Sequence, residues 1–190
     1  MAEVKNEDDL IVVYQDEVHF QAQTTITAAW FKKGSEPQVK SLPGRSKVAY
    51  SGFLIQETGV LFTCKPGRFN TSTTIESLRN FLAACPPPKG KKYAIVMDNA
   101  SWHKAAKKVI GSGRMRHPAF YDISDHVVFV DMPPYSPDLN PIEQVWRVTR
   151  REYTHNRFFE NNGILEDTTD KAFAEWSKPN EQLRSLCGFM

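Results

Sequence analysis

The sequence predicts an α/β protein in which a mixed central sheet is flanked by helices. Three stretches rich in β-branched and aromatic residues come first, at 10–20, 25–32 and 48–62, and strand-like and helix-like patterns alternate after them. This order is typical of a sheet with helices packed against it. A chain of 190 residues suits one compact domain, so we expect residues 1–190 to form a single unit.

Each later element is predicted from a short pattern. Apolar residues at helical spacing after a Ser/Thr cap at 72–74 predict a helix that ends before Pro86. The apolar run Tyr93–Met97 is long enough for a buried strand, too short for a helix, and ends at Asp98. The remaining predicted elements are a basic helix or loop at 103–110, a strand at 126–130 and helices beginning at Pro141 and near Ile164.

Composition excludes several classes of protein. Hydrophobic residues make up 41% of the chain and aromatic residues 12%, too much for a largely disordered protein. The cysteines are far apart and form no CxxC pair, which argues against a disulfide framework or a cysteine zinc site. The acidic start and the lack of a long apolar run predict no targeting or membrane segment, so we expect a cytoplasmic protein. A net charge of +2 does not by itself indicate a nucleic-acid partner.

Three acidic residues stand at positions that invite either a structural or a catalytic reading. Asp16 lies inside the first strand, where an acidic residue is disfavoured unless it faces solvent on an edge strand or serves a site. Asp98 follows a buried strand, where ligands bind in α/β sheets and where an Asp also initiates loops. Glu143 could complete a capping box with Asn140 or pair with Arg147. The residues alone leave these alternatives open.

Three sequence segments favour the catalytic interpretation of these acids. In chain order they are YQDEVHF, IVMDNASWHKA and PPYSPDLNPIEQVW. They resemble the signature blocks of mariner-superfamily transposases, most closely the bacterial insertion-sequence branch. The third block is the most specific. The resemblance implies a ribonuclease-H-like fold in a DDE superfamily endonuclease domain, with Asp16, Asp98 and Glu143 as catalytic residues that bind two Mg²⁺ or Mn²⁺ ions. Clustered carboxylates would repel one another without such cations, and oxygen donors suit these metals.

The function implied by the resemblance is metal-dependent cleavage of double-stranded DNA at transposon ends, followed by strand transfer into target DNA at a TA dinucleotide. A bacterial setting at the nucleoid and a homodimer in the DNA complex accord with it. Two alternatives keep the fold: a catalytically silent DNA-binding remnant, and a ribonuclease-H-like nuclease that takes no part in transposition.

Two departures from the family pattern bear on these expectations. The spacing between Asp98 and Glu143 is longer than is common in the family, and the excess predicts a surface insertion at 110–124. Family members also carry helix-turn-helix modules before the catalytic domain, whereas the first strand here is predicted near residue 10. We therefore expect the end-recognition modules to be absent from this chain, as in a fragment or one half of a split reading frame.

Several residues near the three acids are candidates for supporting roles. Asn99 and His103 could orient a carboxylate, a metal-bound water or a DNA phosphate, although a histidine near a helix start is often only a surface residue. Trp146 belongs to an apolar stripe that predicts core packing. Basic residues on the two helices that begin at the proposed site could contact the DNA backbone or form a solvated face: Lys104, Lys107, Lys108, Arg147, Arg150 and Arg151.

Overall fold

A five-stranded mixed sheet organises the protein. In the computed structural model, which describes residues 9–28, 30–36, 38–41, 46–112, 123–134 and 136–188, the strand order is β3-β2-β1-β4-β5. Strands β1, β2 and β3 are antiparallel, whereas β4 and β5 run parallel to β1. The strands are β1 (Leu10–Gln21), β2 (Lys47–Ile55), β3 (Val60–Cys64), β4 (Lys92–Met97) and β5 (Val127–Asp131).

Helices cover both faces of this sheet, and each face has its own apolar core. Val13 of β1 packs on one face with Phe81 and Ala106 of the first two helices, and Tyr14 packs on the other face with Trp146 and Phe173 of later helices. Alternation along β1 therefore divides its side chains between two cores. The helices are α1 (Thr71–Ala84), α2 (Ser101–Gly111), α3 (Pro141–Thr149), α4 (Asn162–Trp176) and α5 (Glu181–Leu186).

The predicted α/β architecture and the order of its elements are confirmed, with corrections at particular segments. The described residues of the segment 25–32 form no strand. Ile26, Trp30 and Phe31 are exposed there, and the backbone N–H of Thr27 donates to the Asn156 side chain instead of a neighbouring strand. Apolar composition alone was therefore misleading, because none of the described strands pairs with this segment.

Two other boundaries differ from expectation. Helix α1 is capped by Asn70, whose side chain accepts from the backbone N–H groups of Ser72 and Thr73, so the cap lies just before the predicted 72–74. Helix α5 was not predicted. Most of the predicted insertion at 110–124 lies outside the described residues. None of the described helices is long and apolar enough to cross a membrane.

Candidate active site

Asp16, Asp98 and Glu143 line one open cleft with a volume of about 520 Å³. The parallel register pairs Tyr14 of β1 with Val96 of β4, which brings Asp16 alongside Asp98, just beyond the last residue of β4. Glu143 lies in the first turn of α3. The cleft is also lined by Asn99, Ala100, Lys104, Met132, Pro133, Pro134, Ser136 and Asn140.

Asp16 is held deep in this cleft rather than on an edge of the sheet. Strand β1 lies between β2 and β4, so the edge-strand alternative is wrong. The indole Nε1–H of Trp146 donates to Asp16 Oδ2 at 2.9 Å. Burial, and next the negative charge of Glu143, raise the pKa of Asp16 to about 7. The two carboxylates are therefore close enough to repel each other, and a bound cation would relieve that repulsion.

Trp146 reaches Asp16 only because the residue that pairs with Asp16 on β2 is a glycine. Gly52 pairs with Asp16 across the two strands. A Cβ atom at Gly52 would lie 2.4 Å from Trp146 Cη2 and 2.8 Å from Trp146 Cζ2, far inside normal contact distance. The predicted core role of Trp146 is confirmed, since it is 1% exposed, and its hydrogen bond adds a second role that the apolar pattern did not indicate.

Asp98 is fixed by two contacts to one of its oxygens. Its Oδ1 accepts from the backbone N–H of Ala100 at 2.9 Å and lies 2.6 Å from His103 Nδ1. The hydrogen bond from His103 is the main reason that the pKa of Asp98 is lowered. The loop-initiating role is confirmed by the bond to Ala100, and Oδ2 has no hydrogen-bond partner among the described residues.

His103 is buried, not a surface histidine, and it joins two acids. Its Nε2 lies 2.8 Å from Glu17 Oε1, while Nδ1 faces Asp98. Burial disfavours the charged ring, but the hydrogen bonds with Asp98 and Glu17 raise the pKa of His103 to about 9. A charged ring donates from both nitrogens. Sequence reasoning missed Glu17, whose signal was a second acid on the opposite face of β1 from Asp16.

The capping-box alternative for Glu143 is wrong. Asn140 is the N-cap of α3, yet its side chain makes no capping hydrogen bond. Its Nδ2 instead lies 3.4 Å from the Gln15 carbonyl oxygen, and its buried Oδ1 has no partner among the described residues. Arg147 lies near Asp138 and Gln144 and forms no ion pair with Glu143. The Glu143 carboxylate is therefore left to the cleft.

Asn99 supports the cleft wall. Its Nδ2 donates to the Met132 carbonyl oxygen at 2.6 Å, and the Met132 N–H donates to the Met97 carbonyl oxygen at 3.1 Å. These bonds tie the segment after β5 to the end of β4. Asn99 thus orients the protein backbone in the described structure.

The six basic candidates differ in their surroundings. Lys104 lines the cleft, whereas Lys107 is paired with Asp131 and Lys108 is exposed away from it. Helix α3 ends at Thr149, and a π-helical turn follows at Arg150–Thr154. In this turn the Arg150 guanidinium lies over the Phe20 ring, whereas Arg147 and Arg151 are exposed.

The chemistry of the donors fits a hard divalent cation, although the carboxylates are not gathered into a finished site. No group of three or more His, Cys, Asp or Glu side chains within the described ranges is arranged to hold one metal ion. The cleft nevertheless offers carboxylate oxygens from Asp16, Asp98 and Glu143 and the partnerless amide oxygen of Asn140. Oxygen donors of this kind suit Mg²⁺ and Mn²⁺.

Comparison with known families agrees with this geometry. The family described as DDE superfamily endonuclease matches residues 11–166 of the chain. The chain belongs to this superfamily. The matched range of the DDE endonuclease domain includes Asp16, Asp98 and Glu143, and the resemblance to mariner-superfamily transposases that the three motifs carry is confirmed.

Two curated proteins are similar to this DDE endonuclease domain. It is 29% identical over 146 residues to the insertion element IS630 uncharacterized 39 kDa protein of Shigella sonnei, covering 76% of this chain and 39% of that protein. It is 28% identical over 93 residues to the uncharacterized protein y4pE/y4sA of Sinorhizobium fredii (strain NBRC 101917 / NGR234), covering 49% of this chain and 57% of that one. The chain therefore spans about half the length of the curated relatives it matches.

Solved structures show the same fold. The Mos1 transposase paired-end complex with left transposon end has a TM-score of 0.62 at 18% identity, covering 93% of this chain and 51% of that one. The Mos1 mariner paired end complex with Mn has a TM-score of 0.62 at 19% identity, with the same coverage. The predicted ribonuclease-H-like fold is confirmed.

Proposed function

We propose that this chain is the catalytic domain of a bacterial transposase that cleaves DNA at transposon ends and joins the freed 3′ ends to target DNA. The observation that carries the proposal is the single cleft shared by Asp16, Asp98 and Glu143 in a chain of the DDE superfamily. Support comes from the raised pKa of Asp16, because strongly perturbed carboxylates in clefts are typical of functional sites.

In this proposal Asp16, Asp98 and Glu143 hold two Mg²⁺ or Mn²⁺ ions. When bound, such ions supply activation of the attacking water or 3′-hydroxyl and stabilisation of the leaving oxygen. Two of these metal-binding side chains are oriented by separate partners: Trp146 fixes one oxygen of Asp16, and His103 fixes one oxygen of Asp98. Second partners of this kind are expected to tune affinity for the metal.

The DNA is bound in this proposal mainly through its backbone. Lys104 lies at the cleft, where its ammonium group can neutralise a phosphate beside the carboxylates. The Mos1 structures similar to this chain include a complex with a transposon end, which supports double-stranded DNA as the substrate. Strand transfer, a TA target, action at the bacterial nucleoid and a homodimer in the DNA complex are parts of the proposal that belong to the whole protein.

Substitution of the three acids tests the proposal. Asp16→Asn, Asp98→Asn and Glu143→Gln should each abolish Mn²⁺-dependent cleavage of duplex DNA and joining of a pre-cleaved 3′ end, because each removes a metal-binding charge at nearly constant shape. Asp167→Asn and Glu160→Gln, on exposed side chains outside the cleft, are matched controls that should retain activity. Substantial activity in any of the three variants would remove that residue from the site.

The same assays separate the alternatives. Cleavage by the wild-type chain without joining of pre-cleaved ends would favour a nuclease outside transposition. DNA binding without cleavage in Mn²⁺ would favour a silent remnant. Both activities in the wild type, and neither in the three variants, would support the transposase.

A further inference from the structure

A second pocket lies beyond the cleft, at the end of β1 and the π-helical turn. Its volume is about 250 Å³. Three of its lining side chains are basic, and the described lining residues include no carboxylate. This basic pocket is lined by His19, Phe20, Gln21, Thr25, Arg150, Thr154 and His155.

The wall of the basic pocket is held by a strained residue. Asn156 has a φ of 55°, the left-handed conformation that residues other than glycine adopt at a cost. Its backbone N–H donates to the Thr25 carbonyl oxygen at 3.0 Å, and its side chain bonds both the N–H and the hydroxyl of Thr27. Strain that is maintained by several hydrogen bonds is concentrated at binding and catalytic sites.

Arg150 is held in place without an acidic partner. Its guanidinium lies 5.6 Å from the centre of the Phe20 ring, and no carboxylate among the described residues pairs with it. Its carbonyl oxygen accepts from the His155 N–H at 2.7 Å, which fixes the turn that carries it. A π-helical turn of this kind is rare and is found often at functional sites. The pocket is thus built around an unneutralised cation.

Neighbouring cations act on both histidines of the basic pocket and favour their neutral rings, so Arg150 is the main positive charge of its lining. Burial, and next the charge of Arg150, lower the pKa of His155. Burial, and next the charge of Lys47, lower the pKa of His19. Each neighbouring charge named here is a cation, and an anion in the pocket would gain from all of them.

The position of the basic pocket relative to the catalytic acids indicates which anion it takes. His19 follows Asp16 on β1 by about 10 Å, at about 3.3 Å per residue. Arg150 follows Glu143 along the helix by about 10 Å, at about 1.5 Å per residue. One DNA strand advances about 3.4 Å per nucleotide along the helix axis and its phosphates lie further apart than this rise, so about 10 Å spans at most about three nucleotides.

We propose that the basic pocket binds a phosphate of the DNA backbone within about three nucleotides of the phosphate that is cleaved beside the carboxylates. The inference rests on the proposed function for its geometry, but the binding itself requires neither metal nor cleavage. Arg150 supplies the charge, while the rings of His19 and His155 supply hydrogen-bond donors. The pocket would thereby set the register of the strand in the cleft.

The salt dependence of DNA binding tests the pocket without relying on catalysis. Binding of a mixed-sequence duplex is measured by fluorescence anisotropy between about 50 and 200 mM salt, without divalent metal. In Arg150→Gln the slope of log affinity against log salt should be shallower than in the wild type by about 0.9, the value expected for one phosphate contact. Arg79→Gln is the matched control, because it removes the same charge from exposed α1 on the other face of the sheet. Equal slopes for Arg150→Gln and the wild type would overturn the proposal.

Interference by neutral phosphates tests the position. A single methylphosphonate at one position within about three nucleotides of a Mn²⁺-dependent cut should suppress that cut in the wild type, and the variants His19→Gln and His155→Gln should weaken the effect. Uniform interference at every position would also overturn the proposal. Absence of any cleavage by the wild type would count against the proposed function alone, since the salt-slope measurement stands independently. Should Arg150→Gln melt far below the wild type, Arg150→Met replaces it in the slope measurement, because it removes the same charge and retains a long side chain.

Discussion

Replacing Gly52 of β2 with alanine is predicted to disturb catalysis by displacing Trp146, which holds Asp16 on the neighbouring strand. The new Cβ would lie 2.4 Å from Trp146 Cη2 and 3.2 Å from Ile142 Cδ1, and both side chains belong to the buried core. Overpacking of this kind costs about 1–3 kcal/mol. For a domain of this size the melting temperature should fall by about 2–12 °C.

The effect on activity should exceed the effect on the folded population. Movement of the indole away from Gly52 breaks the hydrogen bond from Trp146 Nε1 to Asp16 Oδ2, which measures 2.9 Å. A hydrogen bond to a charged group is worth about 1.5–3 kcal/mol, so loss of its full value in the transition state corresponds to about a tenfold to hundredfold slower Mn²⁺-dependent cleavage. The rate is measured under single-turnover conditions, well below the melting temperature of the variant.

Two further variants make the reasoning refutable. Gly111→Ala is the matched control, because no described atom lies within 4 Å of its new Cβ, and it should leave both stability and rate close to wild type. Gly52→Ala combined with Trp146→Phe removes the clashing ring atoms and the donor together. The double variant should recover stability relative to Gly52→Ala while remaining slow. A Gly52→Ala variant that is destabilised yet cleaves at the wild-type rate would show that Trp146 does not position Asp16.

Four further predictions concern the charges and the partnerless amide in the cleft. Mn²⁺ should raise the melting temperature of the wild type. Without metal, Asp16→Asn should melt at or above the wild-type temperature because it relieves charge repulsion, and with metal it should lose most of the rise. Thermal melts at constant ionic strength measure both effects. The pKa of Asp16 is raised from 3.8 to about 7 in the folded state, so between these pH values the folded state binds more protons than the unfolded state. The contribution of Asp16 to stability therefore falls as the pH rises through this window. Denaturant titrations without metal should show a shallower fall for Asp16→Asn. Mn²⁺ must displace this proton, so calorimetric affinity should rise about tenfold per pH unit below pH 7, and a flat profile would contradict the assignment. Asn140→Leu should slow cleavage because it removes the partnerless Oδ1 from the cleft, and it should cost about 1–3 kcal/mol of stability because it also removes the Nδ2 donor to the Gln15 carbonyl oxygen. An unchanged rate would exclude Asn140 from the site.

The order of the elements and the positions of Asp98 and Glu143 at a strand end and a helix start could be predicted because they rest on local patterns. The apolar run before Asp98 and the proline at the start of α3 mark a strand end and a helix start whatever the rest of the chain does. The predicted strand at 25–32 failed because a strand also needs a neighbour with free backbone groups, and pairing partners are set by topology rather than by composition.

The supporting contacts of the site could not be predicted, since they join residues distant in sequence. Trp146 reads as core by its spacing, and only the position of Gly52 on a neighbouring strand brings its N–H to Asp16. Asn140 reads as a helix cap by residue type, and only the Gln15 carbonyl oxygen nearby draws its side chain away from that role. Local propensity indicated one role for each residue, and tertiary contacts determined another.

The pairing of Asp16 with Gly52 has a consequence for how this chain tolerates insertions and deletions. Successive side chains of β1 face opposite sides of the sheet, so Asp16 meets Trp146 while Glu17 meets His103. Gain or loss of one residue early in β1 would exchange these two acids, with no change in the number of acidic residues. Homologous reading frames that retain both acids but differ by one residue in this strand should therefore be inactive copies, recognisable by length alone.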